Sequence, residues 1–459
     1  MTKEIHILSP CGMLGYGFPE SSLLKGMEQK IHAIAVDAGS TDAGPHKLGK
    51  GVPIVSKRAA KKDLQLLVRY GLPRKIPIII GSAGGAGAAV HVDWTVQILE
   101  EILKEENLEA KTAVISSDIP QEKVLKAIKE GTIAPLSKNI PALTEAGVLE
   151  TSPIVAQMGH EPILEALKSG CDIIVCGRAY DPSPFAAVGI FYGKDPGLSY
   201  HLGKILECGA LCAEPGSAKD AILGSIGEDS FSVRPLNPER KCTALSVAAH
   251  TFYEKEHPYL LKGPGFLLDL KDCIFKEKEN GEVEVSGSRY LPDSVFKVKL
   301  EGARKTAYRS FAIAGIRDPV LLSRLEETEE QVKKLTAEYY AEIKEEDYNI
   351  RFYNYGKNGV MGEKEQAPFS GHEAGVLMET TASTQELASS ILATVRSTFL
   401  HYGYPDRKST AGNLAFPFAP SDVEAGPVYE FSIYHVMETE ENLFSVKYSL
   451  MGGSDGASL

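Results

Sequence analysis

The first 220 or so residues repeat one pattern: a short apolar run, a turn rich in Gly, Ser or Asp, then an amphipathic segment. The apolar runs are "EIHILSP" (residues 4–10), "HAIAVDAG" (32–39), "IPIIIGSAG" (76–84), "TAVISSD" (112–118), "PIVAQMG" (153–159) and "CDIIVCGR" (171–178). Near-continuous Ile and Val runs predict strands buried on both faces. Between them, Val92, Val96, Leu99 and Leu103 fall on one helical stripe, as do Val124, Leu125 and Ile128, and then Ile163, Leu164 and Leu167. Strands that alternate with helices predict an open, mostly parallel α/β sheet built from right-handed crossovers.

The texture changes near Ala221. "CIFKEKENGEVEVSGSRY" (273–290) carries an Asn280-Gly281 turn between alternating segments, a hairpin signal, and "VFKVKLEGARKTAYRSFAIAGI" (295–316) continues as antiparallel-type strand. One long helix is predicted over "PVLLSRLEETEEQVKKLTAEYYAEI" (319–343), with its proline at the first helical position. Ser383 and Glu386 read as a capping box before a helix whose core face is Leu387, Ile391, Val395 and Phe399. The predicted organisation is an α/β (Rossmann-like) domain over 1–220, an α+β domain with antiparallel strands over 221–355, a C-terminal α+β segment over 356–450 and a disordered tail over 451–459.

Composition narrows the setting. With 61 acidic against 49 basic residues and no basic run longer than "SKRAAKK" (56–62), the chain is a poor match for nucleic acid. The start "MTKEIHILSP" lacks the features of a secretory signal, and no apolar stretch approaches the roughly 20 residues of a membrane helix, so a cytoplasmic protein without a membrane partner is expected. Seven scattered cysteines without a C-x-x-C pair read as buried thiols, with Cys208 and Cys212 four apart on a predicted helix.

In an open parallel sheet, ligands bind beyond the carboxyl ends of the strands. The residues there include Asp37, Asp42 and His46 after the second run, Ser82, Gly84, Gly85, Gly87 and His91 after the third, and Ser116, Ser117 and Asp118 after the fourth. The fifth run contributes His160 and Glu161, and the sixth Arg178 and Asp181. The glycine loop "GSAGGAGA" has two readings: a cradle of N–H groups for an anion at a helix N-terminus, or a tight turn that allows close packing. It is neither a Walker A loop nor a strict dinucleotide fingerprint. His91, in the first helical turn, is a candidate neutral base, and Arg178 with Asp181 a candidate carboxylate clamp with an acid/base partner. Asp37 and Asp42 share a loop of Ser, Thr and Gly that suits Mg²⁺ or an ordered water. Glu373, in "FSGHEAG", is a candidate to close a cleft from the second domain.

Taken in order, "VDAGSTDAGPHKLG", "GSAGGAGAAVHVDW" and "GCDIIVCGRAYDPS" resemble the acyclic terpene utilisation (AtuA) family, over roughly residues 4 to 355. The resemblance implies breakdown of acyclic terpenoid or other branched short-chain acids, and a ferredoxin-fold partner, fused or separate, for which residues after about 355 are the candidate segment. Joined to the residues above, it leads us to expect a hydro-lyase acting on a small branched, unsaturated or hydroxy carboxylic acid, in a homo-oligomer. In this reading Ser82, Gly84, Gly85, Gly87, Arg178 and Glu373 bind substrate, and His91, Asp181 and Asp37 move protons. No redox cofactor is needed, and Mg²⁺ on Asp37 and Asp42 is the candidate ion. Two rivals are a ligase, transferase or hydratase acting on CoA thioesters, and a non-catalytic subunit that needs a small ferredoxin-fold partner.

Overall fold

The computed structural model describes residues 4–253, 257–408 and 410–453, which fall into two compact units. The first comprises residues 1–304 and 431–459, the second Lys305–Glu430.

Fifteen strands are needed to follow the chain: β1 Ile5–Ser9, β2 Ala33–Asp37, β3 Ile78–Gly81, β4 Glu109–Ile115, β5 Ile154–Ala156, β6 Ile173–Cys176, β7 Ile222–Ile226, β8 Ser230–Pro235, β9 Ile274–Glu277, β10 Val283–Ser286, β11 Lys297–Ile316, β12 Tyr348–Tyr355, β13 Ala374–Ala382, β14 Asp422–Glu438 and β15 Val446–Gly452. The helices used below are α1 Lys57–Gly71, α2 Ala89–Glu106, α3 Gln121–Glu130, α4 Glu161–Lys168, α5 Ser183–Phe191, α6 Pro196–Leu206, α7 Pro319–Ser323, α8 Leu325–Tyr339 and α9 Gln385–His401.

The first unit is built on a ten-stranded sheet in the order β9-β10-β8-β7-β1-β2-β3-β6-β4-β15. Its centre, β1-β2-β3-β6-β4, is parallel, as the run-and-helix pattern predicts. Both faces are buried. Ile34, Val36, Ile78, Ile80, Ile173 and Val175 enter one core with α1 and α2, while Ala33, Ala35, Ile79 and Ile174 enter the other with α3 to α6. The helix after β3 and the helices after β6 thus lie on opposite faces, so the chain diverges where these neighbouring strands end. This is the switch point at which an open sheet forms a crevice.

The structure departs from the expected pattern in several places. The run at 153–159 forms β5, which pairs antiparallel with Leu300–Gly302 of β11 instead of joining the parallel sheet. Both edges of β6 are already bonded to β3 and β4, which leaves no slot for it. The Asn280-Gly281 hairpin forms, but β9 and β10 extend the main sheet antiparallel through β8 and β7. Residue 220 is therefore no boundary, because β7 completes the hydrogen bonding of β1.

The second unit runs β11-α7/α8-β12-β13-α9-β14, with strand order β12-β13-β11-β14. This is the split βαβ arrangement of ferredoxin-like folds. Ala312, Ala314, Ile350, Val376 and Met378 pack against Val332, Ile391, Val395 and Phe399 to form its core. The unit begins 50 residues before the segment expected from residue 355, since β12 and β13 need the β11 edge to pair with. The helix expected over 319–343 is two helices, broken at Arg324, and Thr384 instead of Ser383 caps α9 by accepting from Leu387 N–H. α6 ends at Leu206, so Cys208 and Cys212 lie beyond it. Met451 and Gly452 of the expected tail end β15, and residues 454–459 lie outside the described residues. Among the described residues no helix is long and apolar enough to cross a membrane.

Candidate functional site

The chemistry gathers where β2, β3 and β6 end. Arg178, two residues beyond β6, is buried, and its backbone N–H donates to Ser117 Oγ (2.7 Å). Its Nε donates to Glu301 Oε2 (2.7 Å), and its Nη1 donates to Asp181 Oδ1 (2.8 Å), Ala179 O (2.7 Å) and Ser82 Oγ (3.1 Å). Ser82 reaches this position from a left-handed backbone conformation, φ +45°. Glu301 is 0% exposed and accepts at its other oxygen from Thr41 Oγ1 (3.0 Å) and Lys299 Nζ (2.7 Å). Burial alone would raise the Glu301 pKa, but Arg178 and Lys299 outweigh it and hold the carboxyl at about 2. Burial likewise works against the charged Arg178, and Glu301 and Asp181 more than offset it.

Three carboxyl groups flank this guanidinium. Asp37, the last residue of β2, is buried and its Oδ1 has no partner. Burial pushes its pKa well up, Asp181 and Glu207 add to the rise, and Arg178 and the Gly39 N–H oppose it. Glu207, just beyond α6, accepts from Lys204 Nζ at 2.6 Å through Oε1, while its Oε2 has no partner. Burial raises its pKa to about 7 against the pull of Lys204. Asp181 is the most open of the three, its side chain 29% exposed. Cys208 lies beside Glu207 with Sγ 3.2 Å from Tyr253 Oη, and burial pushes its thiol up to about 12, so it is held as a thiol. Two of these carboxyl groups, Asp37 and Glu207, are thus raised towards protonation beside a guanidinium whose Nη2 carries none of the bonds above.

The structure brings together Asp37, Ser82, Ser117, Arg178 and Asp181, and places the other expected residues elsewhere. Residues 81–88 of the glycine loop are all buried. A Cβ on Gly84 would meet His91, on Gly85 the Ile54 side chain, and on Gly87 the Arg178 backbone nitrogen at 2.2 Å. The first N–H of α2, from Ala89, donates to Asp118 Oδ2 (2.8 Å), so a carboxylate of the chain itself takes the place foreseen for an anionic ligand. The close-packing reading of this loop fits these contacts.

His91 is fully buried and its Nε2 lies 3.2 Å from the carbonyl oxygens of Lys47 and Val52, tying that segment to α2. Its pKa is lowered, by burial first, whereas the helix position was the expected cause. Asp42 is exposed while Asp37 is buried, and among the described residues no group of three or more His, Cys, Asp or Glu side chains is placed to hold a metal ion. Glu373 belongs to the second unit, where it lines a cavity of about 330 Å³ with Arg317, Asp318, Tyr404 and Arg407. His160 and Glu161 form their own contact, His160 Nδ1 lying 3.3 Å from Glu161 Oε1 and 3.0 Å from Tyr200 Oη.

Glu301, Lys299, Lys204 and Glu207 were missed in the sequence. Lys297, Lys299 and Glu301 alternate with Val298 and Leu300 as a solvent-facing edge would, and Lys204 with Glu207 reads as an ordinary surface i,i+3 pair. Neither pattern signals burial.

Compared with known families, residues 59–226 and 233–413 match the one described as acyclic terpene utilisation family protein AtuA. The chain belongs to the AtuA family. No curated protein and no solved structure matches it. The AtuA match spans the ends of β3 and β6, and with them Ser82, Arg178, Asp181, Glu207 and Glu301; Asp37 lies before its start.

Three substitutions test this arrangement. Arg178→Ala should cost about 3–5 kcal/mol in urea unfolding, because it strands Glu301 without its main partner. Gly87→Ala should destabilise by more than about 3 kcal/mol, against roughly 1 kcal/mol for Gly131→Ala, which shares a left-handed φ but meets nothing within 4 Å. Asp37→Asn should raise Tm at pH 8 and leave it unchanged near pH 4. The fold raises the Asp37 pKa, so wild-type stability falls as pH climbs above the unfolded value, and the amide removes that fall.

Proposed function

We propose that this AtuA-family protein is a hydro-lyase that adds water to, or removes it from, a small branched carboxylic acid. The observation that carries the reading is the pair of buried carboxyl groups, Asp37 and Glu207, each with an unpartnered oxygen and each pushed towards protonation at neutral pH. Removal of water from a β-hydroxy acid needs one group to take the proton from the carbon next to the carboxylate and another to protonate the departing hydroxyl. Two buried carboxyls, both raised above the usual carboxylate range, supply both, and the reverse assignment serves hydration. They replace the enclosed His91 in that role.

Arg178 supplies the counter-charge. Glu301 and Asp181 fix its plane, and Nη2 donates to a substrate carboxylate, whose negative charge grows as the enolate-like state develops. Asp181 is the most accessible of the three carboxyls. The scheme routes no step through a metal ion. The family's description supports an acyclic, branched carbon skeleton for the substrate.

The test begins with a thermal-shift screen against branched hydroxy and unsaturated mono- and dicarboxylates and their CoA thioesters, with and without Mg²⁺. Stabilisation by a free branched acid, followed by water addition that is lost in Asp37→Asn without loss of Tm, is the expected result. The rate should describe a bell against pH, bounded by the two carboxyls. Stabilisation by thioesters alone would move the reading to CoA chemistry. Full activity in Asp37→Asn would remove Asp37 from the mechanism.

A further inference from the structure

The ferredoxin-like unit contains a buried acid that no ion pair explains. α8 turns Leu325, Thr328, Glu329, Val332 and Thr336 inward, so Glu329 occupies a position on the core stripe of its helix. It is 6% exposed, and the residue it meets, Asn354 near the end of β12, is 3% exposed. Asn354 Nδ2 donates to Glu329 Oε2 at 3.2 Å. The remaining polar atoms of the two side chains, Glu329 Oε1 and Asn354 Oδ1, are both buried and both without a partner.

Two orphaned acceptors on a hydrogen-bonded pair of side chains are short of one hydrogen. An ionised glutamate has none to give, and each buried acceptor left unmet costs about 1–3 kcal/mol. A proton on Oε1 supplies the missing donor and satisfies both atoms together. The cations nearby are engaged elsewhere: Lys357 Nζ lies 2.6 Å from Glu326, and Lys333 Nζ lies 2.6 Å from Glu330. On the β13 side, Val376 faces Asn354 across the ladder and brings no charge.

We propose that Glu329 is protonated in the native protein and pairs with Asn354 through two hydrogen bonds, Nδ2–H to Oε2 and Oε1–H to Oδ1, as a clamp between α8 and β12 that rising pH releases. The charged surroundings agree with this assignment. Burial raises the Glu329 pKa to about 7, Glu326 adds to the rise, and Lys333 and Lys357 with the Asn354 bond oppose it. A folded value above the unfolded one means that the contribution of this group is complete below about pH 4.5 and lost as pH climbs through about 7. The clamp also holds a turn, since Asn354 O accepts N–H groups from Lys357, Asn358 and Gly359 (3.0, 3.0 and 2.8 Å) at the start of the loop that leads to Glu373.

Glu329→Gln separates this from an ordinary buried carboxylate, because an amide can donate to Asn354 Oδ1 at every pH. The measurement is hydrogen exchange by mass spectrometry on the full chain, corrected for intrinsic pH dependence, over residues 325–339 and 348–355. In wild type, local opening of these segments should increase about tenfold or more between pH 5.5 and 8.5. In Glu329→Gln it should stay level and match the low-pH wild type. A variant that opens more than wild type at both pH values, by the same factor, would overturn the proposal. Carbon-13 NMR of labelled glutamate in the wild type gives an independent check. A carboxyl that titrates near neutrality and shifts in Asn354→Ala is expected, and one already ionised at pH 5.5 would refute it.

Discussion

The contact on which the first unit most depends is the enclosed pair of Arg178 and Glu301. Taking both ions out of water costs several kcal/mol each, so the pair is tolerable only because further donors and acceptors engage both ions. Glu301 joins Arg178, Lys299 and Thr41, and Arg178 joins Ser82, Ala179 and Asp181. The loops after β2, β3 and β6 and the strand β11 are thereby held by one network. An arginine fixed at this many points presents its remaining donors in one orientation, as a group that meets a developing negative charge must.

That network also explains the glycines. The chain crosses the Arg178 backbone so closely at Gly87 that a methyl group has no room, and Ser117 bonds both Gly87 O and Arg178 N. The loop brings β3 and β6 together at their ends instead of opening a pocket between them. The dipole of α2 is used as well, but by Asp118, so the ready anion site at a helix N-terminus is filled from within. Beyond these strand ends lie carboxyl groups whose charges oppose one another, and burial holds Asp37 and Glu207 nearer to protonation than free side chains would be.

The second unit shows the same physics in a different fold. Its helices and strands close a conventional apolar core, yet one core-facing position is an acid matched to an amide. Buried polar groups in both units are kept by pairing, and where a partner atom is missing a proton is the simplest way to complete the pair.

The alternation of apolar runs and amphipathic segments was enough, by itself, to determine the parallel centre of the sheet and its helices, and with them the strand ends near which Asp37, Ser82, Arg178 and Asp181 stand. Strand burial on both faces and helical periodicity are local properties, and Asp37, Ser82, Arg178 and Asp181 follow from them. Tertiary structure alone decided which polar residues are enclosed. Glu301 sits in a strand that alternates like a wet edge, Glu207 in a helix end that looks like surface, and β5 left the sheet because β6 had no free edge. His91 was misjudged for the converse reason: its place at a helix start is local, but the carbonyls that enclose it come from residues 47 and 52. Periodicity reports the side of an element on which a residue lies, whereas its pKa and partners depend on what the rest of the chain packs against that side.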